Sequence, residues 1–558
     1  MTEKEVIELV RNKLEWYTPK AIRRVEIDKG NGKKRPLGIA SIEDRLIQQC
    51  ILQVLEPICE AKFHDRSNGF RPNRGVENAL AQAEKLIQSN KLYIVVDIDI
   101  KGFFDNVSHG KLLKQLWTIG IQDKKLISII SAMLKGEIAE IGFPEKGTAQ
   151  GSIISPLLSN VVLNELDWWI ASQWEFMPTR HVYKEAIKAN GTQSKSKKYR
   201  ALRNSTLKEC FIVRYADDFK IFCRKHKDAV VMFKATKQWL KTRLGLDISP
   251  EKSKIVNLKH SYSEFLGFRI KVHKKGKDTK CKPPVDKYVV KSHISEKALK
   301  KIKTNAKERI IAIQKTNGSR AGEYAIRDYN SFVMGMQNYY SMATCVNPDI
   351  QTLAYEIKTS IKIRLNTRVK RRTNEALTPY LSERYGKSKE LRFINGVPLV
   401  PIGYVQHRVP LHKKAVVNKY TAEGRKEIHK QLETVDIERV HELMRNPISN
   451  ETVEFNDNCV SLFVAQRGKC AICKLPLTLE NMRCVRKIPK SCGGDDKYNN
   501  LIIVHKEMER LIKSQDNKEI KRILNKYKLE SNQRRKVNTI RKNAGLEEID
   551  VKALDKEL

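Results

Sequence analysis

The chain is 558 residues long, beyond the roughly 250 to 300 residues at which a single hydrophobic core stops growing, so several domains are expected. Its 106 Lys and Arg against 64 Asp and Glu give a formal net charge of +42, which argues for a polyanionic partner, nucleic acid, over a small acidic substrate. No apolar run is long enough to span a bilayer and Met1-Thr2-Glu3-Lys4-Glu5 does not begin a signal peptide, so no membrane partner is expected and an intracellular location is. Scattered Cys50, Cys59, Cys210, Cys223, Cys281 and Cys345, among 11 cysteines in all, read as reduced core residues and not as a disulfide frame.

In chain order, Leu92-Tyr93-Ile94-Val95-Val96 predicts a buried strand that delivers Asp97 and Asp99 to its end, both on one face because side chains alternate along a strand. The stretch 177–208 is basic and lacks apolar periodicity, and includes Ser194-Lys195-Ser196-Lys197-Lys198-Tyr199-Arg200. It reads as an RNA-facing loop or, equally, as a solvated one. Phe211-Ile212-Val213 and Phe219-Lys220-Ile221-Phe222-Cys223 predict two short strands with Tyr215-Ala216-Asp217-Asp218 at the turn between them. A lone Asp-Asp is ordinarily a solvated turn, since Asp favours turns. The alternative is that the pair, with Asp99 ending another strand, supplies hard oxygen ligands for two Mg²⁺ ions about 4 Å apart, as two-metal nucleotidyl transfer requires. From about 290 to 410 the spacing is helical and heavily basic. There Lys362, Arg364, Arg368, Lys370, Arg371 and Arg372 fall at three- and four-residue steps along a predicted helix, either gripping phosphates or lining a solvated face. Near the end, Cys470-Ala471-Ile472-Cys473 has the spacing of half a tetrahedral zinc site, or of two plain buried thiols.

Several blocks stand in an order that resembles the reverse transcriptase domain of group II intron-encoded proteins, the maturases of bacteria and organelles. They are Lys34-Arg35-Pro36-Leu37-Gly38-Ile39 with Asp44-Arg45, Ser67-Asn68-Gly69-Phe70-Arg71-Pro72, and Asp99-Ile100-Lys101-Gly102-Phe103-Phe104-Asp105-Asn106. Gln150-Gly151-Ser152 through Ser155-Pro156-Leu157-Leu158-Ser159-Asn160 follows, then the Asp pair, Ser249-Pro250-Glu251-Lys252-Ser253-Lys254, and Phe265-Leu266-Gly267-Phe268. Asn330-Ser331-Phe332 through Gly335-Met336-Gln337-Asn338-Tyr339-Tyr340 resembles the maturase thumb, or domain X. The resemblance implies an α+β multidomain chain with a right-hand polymerase at its core. Fingers and palm would occupy 1–285, a helical thumb 286–410, a basic DNA-binding linker 411–455, and a small HNH-like α/β module with a basic tail 456–558.

The same resemblance assigns roles. Asp99, Asp217 and Asp218 would be the catalytic carboxylates and hold two Mg²⁺ ions, with the backbone carbonyl of Ile100 completing part of the metal shell. Phe104 would lie under the sugar of the incoming deoxynucleoside triphosphate and disfavour a 2′-hydroxyl, or else serve the core; Gln150 would lie beside the nucleotide and primer. Arg35, Arg45 and Arg71 are candidates for triphosphate or template contact, because guanidinium forks suit phosphate oxygens. The partners implied are group II intron RNA, a DNA target and primer, and deoxynucleoside triphosphates. The location implied is bacterial cytoplasm, with the nucleoid, or an organelle. Two functions are implied: an RNA-directed DNA polymerase that also assists splicing, or a maturase acting only as an RNA-binding protein.

Two departures from the family pattern matter. Cys470-Ala471-Ile472-Cys473, Ile488-Pro489-Lys490-Ser491, Gly493-Gly494-Asp495, Asn500-Leu501 and His505 follow the order of an HNH endonuclease, yet Val485-Arg486 replaces its His-His pair and Met508-Glu509 its Cys-His. Neither Val nor Arg activates water at neutral pH, so a remnant that cuts DNA poorly or not at all is expected. Cys484, Cys492 and His505 are the candidates for completing a zinc site with Cys470 and Cys473. At the other end, few residues precede Tyr17-Thr18-Pro19, where the family places further fingers residues, so a short fingers region is expected.

Overall fold

In the computed structural model the described residues are 2–28, 34–183, 186–187, 193–278, 283–316, 320–371, 377–429 and 437–550. Arg372, Cys281 and the side chain of Arg35 lie outside them. The chain forms two units, Met1–Asn418 and Lys419–Leu558.

Within the first unit, β1 (Arg23–Asp28) and β2 (Lys34–Ile39) form an antiparallel pair in which Val25 faces Leu37. Helix α1 (Ile42–Glu60) starts where the Ser41 hydroxyl accepts from the Asp44 N–H, the usual remedy for an orphan amide at a helix start. It buries Ile47, Ile51 and Leu55 at four-residue steps, one stripe of the helix. After the short β3 (Ser67–Asn68) and α2 (Val76–Gln88) comes β4 (Ile94–Ile98), every residue of which is buried. Helix α3 (Ser155–Ser172) precedes the hairpin β5 (Cys210–Tyr215) and β6 (Asp218–Cys223), and α4 (His226–Trp239) precedes β7 (Lys254–Asn257). These strands form one five-stranded sheet, ordered β3-β5-β6-β4-β7, antiparallel except for the β3–β5 pair. Its strands are nearly continuously apolar because helices cover the sheet, and burial leaves no polar side to alternate with.

Beyond the sheet, β8 (Ser263–Phe265), β9 (Phe268–Asp278) and β10 (Val285–Ile294) make a second, antiparallel sheet. Three helices follow: α5 (Glu296–Lys315), α6 (Arg320–Tyr340) and α7 (Val346–Leu365). Two of the sequence blocks meet here. The Phe268 ring stacks on Tyr339 with centroids 5.6 Å apart, and the Tyr339 hydroxyl donates to the Leu266 carbonyl at 2.9 Å.

The predicted basic helix through residue 372 is corrected: α7 stops at Leu365, so only Lys362 and Arg364 stand on it. Arg368 turns back and donates to the Ile313 carbonyl at 2.7 Å, satisfying a last-turn carbonyl of α5, where the helix dipole favours a cation. Lys370 pairs backbone to backbone with Phe393, at the start of a small hairpin, Arg392–Ile394 with Val397–Leu399, that helical spacing did not reveal. The basic stretch 177–208 also holds more order than expected. Ser196–Arg203 is helical there, and the Tyr199 ring meets Phe211 edge-on at 5.7 Å.

The second unit builds its own core around helix Val453–Ala465, the antiparallel pair Met482–Arg486 with Leu501–His505, and helix Lys506–Lys513. Phe455, Phe463, Ile503, Met508 and Leu511 are among its buried residues.

Candidate active site

The register of the central sheet brings the backbone positions of Asp99, Asp217 and Asp218 to one end of it. Tyr215 pairs with Asp218 across a two-residue turn, and Ala216 takes a φ of +54°, a left-handed conformation uncommon for a residue with a Cβ. On the other side of β6, Ile98 pairs with Phe219. Asp99, the next residue, therefore ends its strand beside Asp218. The hairpin is held from beneath by Arg214, fully buried, whose guanidinium meets Asp167 on α3 at 2.6 Å and also donates to the Ala216 carbonyl at 2.8 Å. It reaches Asn160 at 2.9 Å and Ser67 at 2.6 Å as well, so one buried cation ties α3, β3 and the turn together.

Asp97 and Asp99 have separate fates. Asp97 is buried, accepts from the Lys220 ammonium at 2.7 Å and from the Ser263 hydroxyl at 3.0 Å. Asp99 lies at the rim with 43% of its side chain exposed. One of its oxygens accepts from Ser249 at 2.7 Å and from the Lys252 ammonium at 3.2 Å, and its N–H donates to Ser253 at 3.2 Å. Ser249, Lys252 and Ser253 belong to a block the sequence singled out, but their grip on Asp99 was not foreseen. The only sequence signal was their clustering. Ile100 is buried beyond the strand and bridges to Ile248.

Burial pushes the Asp218 carboxyl up to about 6; Lys220 opposes this, while Asp97, Asp217 and Asp99 add to it. Crowded carboxylates of this kind are what a divalent cation relieves. As the side chains stand among the described residues, no three His, Cys, Asp or Glu are gathered as a metal site; the Asp99 carboxylate is directed to Ser249 and Lys252. The donor set nonetheless suits Mg²⁺: three hard oxygen donors on adjacent strands, one with a raised pKa.

Phe104 and Gln150 do come together, lining a cavity of about 310 Å³ with Leu37, Met133 and Ile154. Two close backbone contacts bring this about. Thr148 donates its N–H to the Phe104 carbonyl at 2.7 Å, and Gly38 on β2 donates its N–H to the Gln150 carbonyl at 2.6 Å. Gly151 has a φ of +109°, and a Cβ there would lie 2.7 Å from the Gly38 carbonyl oxygen, so only glycine lets the loop approach the strand this closely. Phe104 is half-buried and meets Phe103 edge-on at 5.3 Å; Phe103 is the core residue of the two.

The arginine candidates separate. Arg45 is exposed in the first turn of α1 and does not line the cavity. The expectation that Arg71 contacts nucleic acid is corrected: its guanidinium forms a two-pronged pair with Glu60, both arms 2.9 Å, and donates to the His64 and Ser67 carbonyls. Four of its five N–H donors are thus spent within the protein and 4% of the side chain is exposed.

In the second unit Cys470 and Cys473 lie together, and the Cys470 sulfur accepts from the His505 N–H at 3.3 Å. The hydrogen bond with the Cys473 thiol and those from backbone amides hold the Cys470 thiol below its ordinary range, against the effect of burial. Among the described residues the candidates for completing a zinc site are not gathered around this pair. Cys484 pairs with Cys459, Cys492 is exposed, and His505 Nδ1 accepts from the Glu507 N–H at 3.2 Å. Arg486 binds Glu451 through both arms and Asp496 at 2.7 Å, while Asn500 clamps its loop by donating to the Ile488 and Asp495 carbonyls.

Residues 27–270 match the family of reverse transcriptases, RNA-dependent DNA polymerases. The group II intron-encoded protein LtrA of Lactococcus lactis subsp. cremoris is 32% identical over 377 residues, 59% of this chain and 62% of that protein. Protein YkfC of Escherichia coli K12 is 31% identical over 262 residues, 46% of this chain and 68% of YkfC. A putative COX1/OXI3 intron 1 protein of Saccharomyces cerevisiae is 28% identical over 368 residues, 58% of this chain and 43% of that protein. The match thus spans somewhat less than two thirds of LtrA. The family match and the fold define a reverse transcriptase domain. The chain belongs to the group II intron-encoded protein family.

Proposed function

We propose that the chain is an RNA-directed DNA polymerase and a splicing cofactor for a group II intron, supporting the intron's mobility. The observation that carries this is the convergence of Asp99 with the Asp217-Asp218 turn at the end of one sheet, in the same unit as the Phe104 and Gln150 cavity. Asp99, Asp217 and Asp218 would hold two Mg²⁺, with the Ile100 carbonyl as a further ligand; when bound, the ions lower the pKa of a primer 3′-hydroxyl and offset charge on the transferring phosphate. The chain's own residues supply positioning. Arg214 fixes the turn, Phe104 would lie under the sugar of a deoxynucleotide and disfavour a 2′-hydroxyl, and Gly151 keeps the loop carrying Gln150 against β2. Arg35 and Arg45 are proposed to meet the triphosphate. Helices α5 to α7 are proposed as the thumb, gripping duplex and intron RNA with Lys362, Arg364, Lys370 and Arg371.

Residues 456–558 are proposed as an HNH-like remnant without cleavage activity. Arg486, standing where the family has histidine, is tied to two carboxylates, and a guanidinium so held has no base to offer water. Nicking of a DNA target that is lost on Asn500→Ala would refute this. The cellular setting proposed is bacterial cytoplasm or an organelle, in keeping with the sources of the relatives; among the described residues no helix is long and apolar enough to cross a membrane.

The polymerase reading is tested by Mg²⁺-dependent incorporation of deoxynucleotides on an RNA template from a DNA primer, comparing the chain with Asp217→Asn. Incorporation abolished by the substitution supports it. No incorporation by either, from protein that still promotes splicing, would leave the maturase role alone.

A further inference from the structure

A second cavity, of about 620 Å³, lies between α7 and the segment after the small hairpin. Helix and segment approach closely: a Cβ on Gly403 would lie 2.9 Å from the Ala354 Cβ. The cavity lining carries four cations, Lys358, Lys362, Arg371 and Arg392, against one carboxylate, Glu390. Glu390 is taken by Lys358 at 3.0 Å. Lys362 and Arg371 have no ion pair or hydrogen bond among the described residues, so two cations face the cavity uncommitted. Aromatic rings share the lining. Tyr355 is 76% exposed at the mouth, Tyr404 lines the wall, and Tyr329 is fully buried with a hydroxyl that has no hydrogen-bond partner.

Rings on the wall and free cations beside them match two parts of one ligand: the face of a base and its phosphate. We propose that this cavity is a pocket for a single unstacked RNA nucleotide, extruded from an otherwise paired segment. The pocket gives the thumb a contact that depends on RNA shape, distinct from the nonspecific pull of the chain's charge. It rests on the reading of this chain as an RNA-binding protein.

The test uses the full chain and two short RNA hairpins, one fully paired and one carrying a single bulged 5-iodouridine. Ultraviolet light should crosslink the bulged uridine to Tyr355 or Tyr404, located by mass spectrometry. The double substitution Lys362→Ala with Arg371→Ala should weaken binding of both hairpins, that of the bulged one roughly ten-fold more than that of the paired one, and remove the crosslink. Tyr355→Ala, at an exposed position, should lower the crosslink without affecting folding. A crosslink elsewhere, or one indifferent to these changes, overturns the pocket. Loss of the crosslink to millimolar uridine 5′-monophosphate at unchanged hairpin binding would assign the pocket to free nucleotides and overturn the RNA form of the proposal. Failure to bind either hairpin would instead overturn the RNA-binding reading beneath it.

Discussion

Asp97 and Asp99 are two residues apart on one strand, and their neighbours decide what each can do. Asp97 and Lys220 neutralise one another in the sheet, with 4% of the lysine side chain exposed, so Asp97→Asn strands a buried ammonium. We expect it to cost about 3–5 kcal/mol in denaturant unfolding, whereas Asp99→Asn, at an exposed rim pair, should change stability by less than about 1 kcal/mol. Lys252 occupies one of the two Asp99 oxygens open to a cation. Lys252→Met should therefore tighten Mn²⁺ binding, by at most about five-fold for so exposed a pair, as read by electron paramagnetic resonance. In the sequence, block spacing was enough to separate Asp99 from Asp97. Nothing comparable marked Arg71 as structural, because its partner Glu60 lies in a different element and one arginine in so basic a chain resembles another.

Among the elements, the strands that carry the carboxylates were legible because burial makes them short apolar runs with a turn between. The end of α7 was not. Basic residues continue past Leu365 at helical spacing, and only the contact of Arg368 with the last turn of α5 shows that the chain has turned back. Arg214 was equally hidden, although a charged residue within Phe211-Ile212-Val213-Arg214-Tyr215 and an Asp within the apolar α3 are the kind of signal that marks a buried pair. The seam between α2 and β10 makes a pH-dependent prediction. Burial pushes Glu84 up to about 7, against the opposing hydrogen bond from the Ser292 hydroxyl. An acid whose folded pKa is raised binds its proton more tightly in the folded state. Its contribution is present below about pH 4.5 and is lost as the pH rises through 7. Glu84→Gln keeps an acceptor for Ser292 and removes that loss. It should leave the melting temperature unchanged near pH 4.5 and raise stability by about 1–3 kcal/mol at pH 8, measured by thermal unfolding at both values.

For the molecule as a whole, the +42 formal charge predicts that RNA binding is dominated by phosphate contacts. Its affinity should fall by a factor of about 10³ or more between 50 and 200 mM salt, as measured by filter binding. A shallow dependence would mean that most of the charge faces solvent. Composition could announce a polyanionic partner but not its identity, which came from the order of the blocks. In the second unit the order of the Cys, Asn and His residues suggested an HNH-like module. Sequence could not say that Cys484 pairs with Cys459 or that His505 is used as a helix cap, since both depend on which residues the fold brings together.

The central claim is that Asp99, Asp217 and Asp218 form one divalent-cation site at the end of the sheet. It is tested most directly by counting bound Mn²⁺ by electron paramagnetic resonance, with an RNA template, a chain-terminated DNA primer and the matching deoxynucleoside triphosphate present. About two ions per chain are expected for the natural sequence, falling on Asp217→Asn and lost when all three carboxylates are replaced by Asn in protein that still binds the template. Unchanged ion binding in the triple variant would contradict the account.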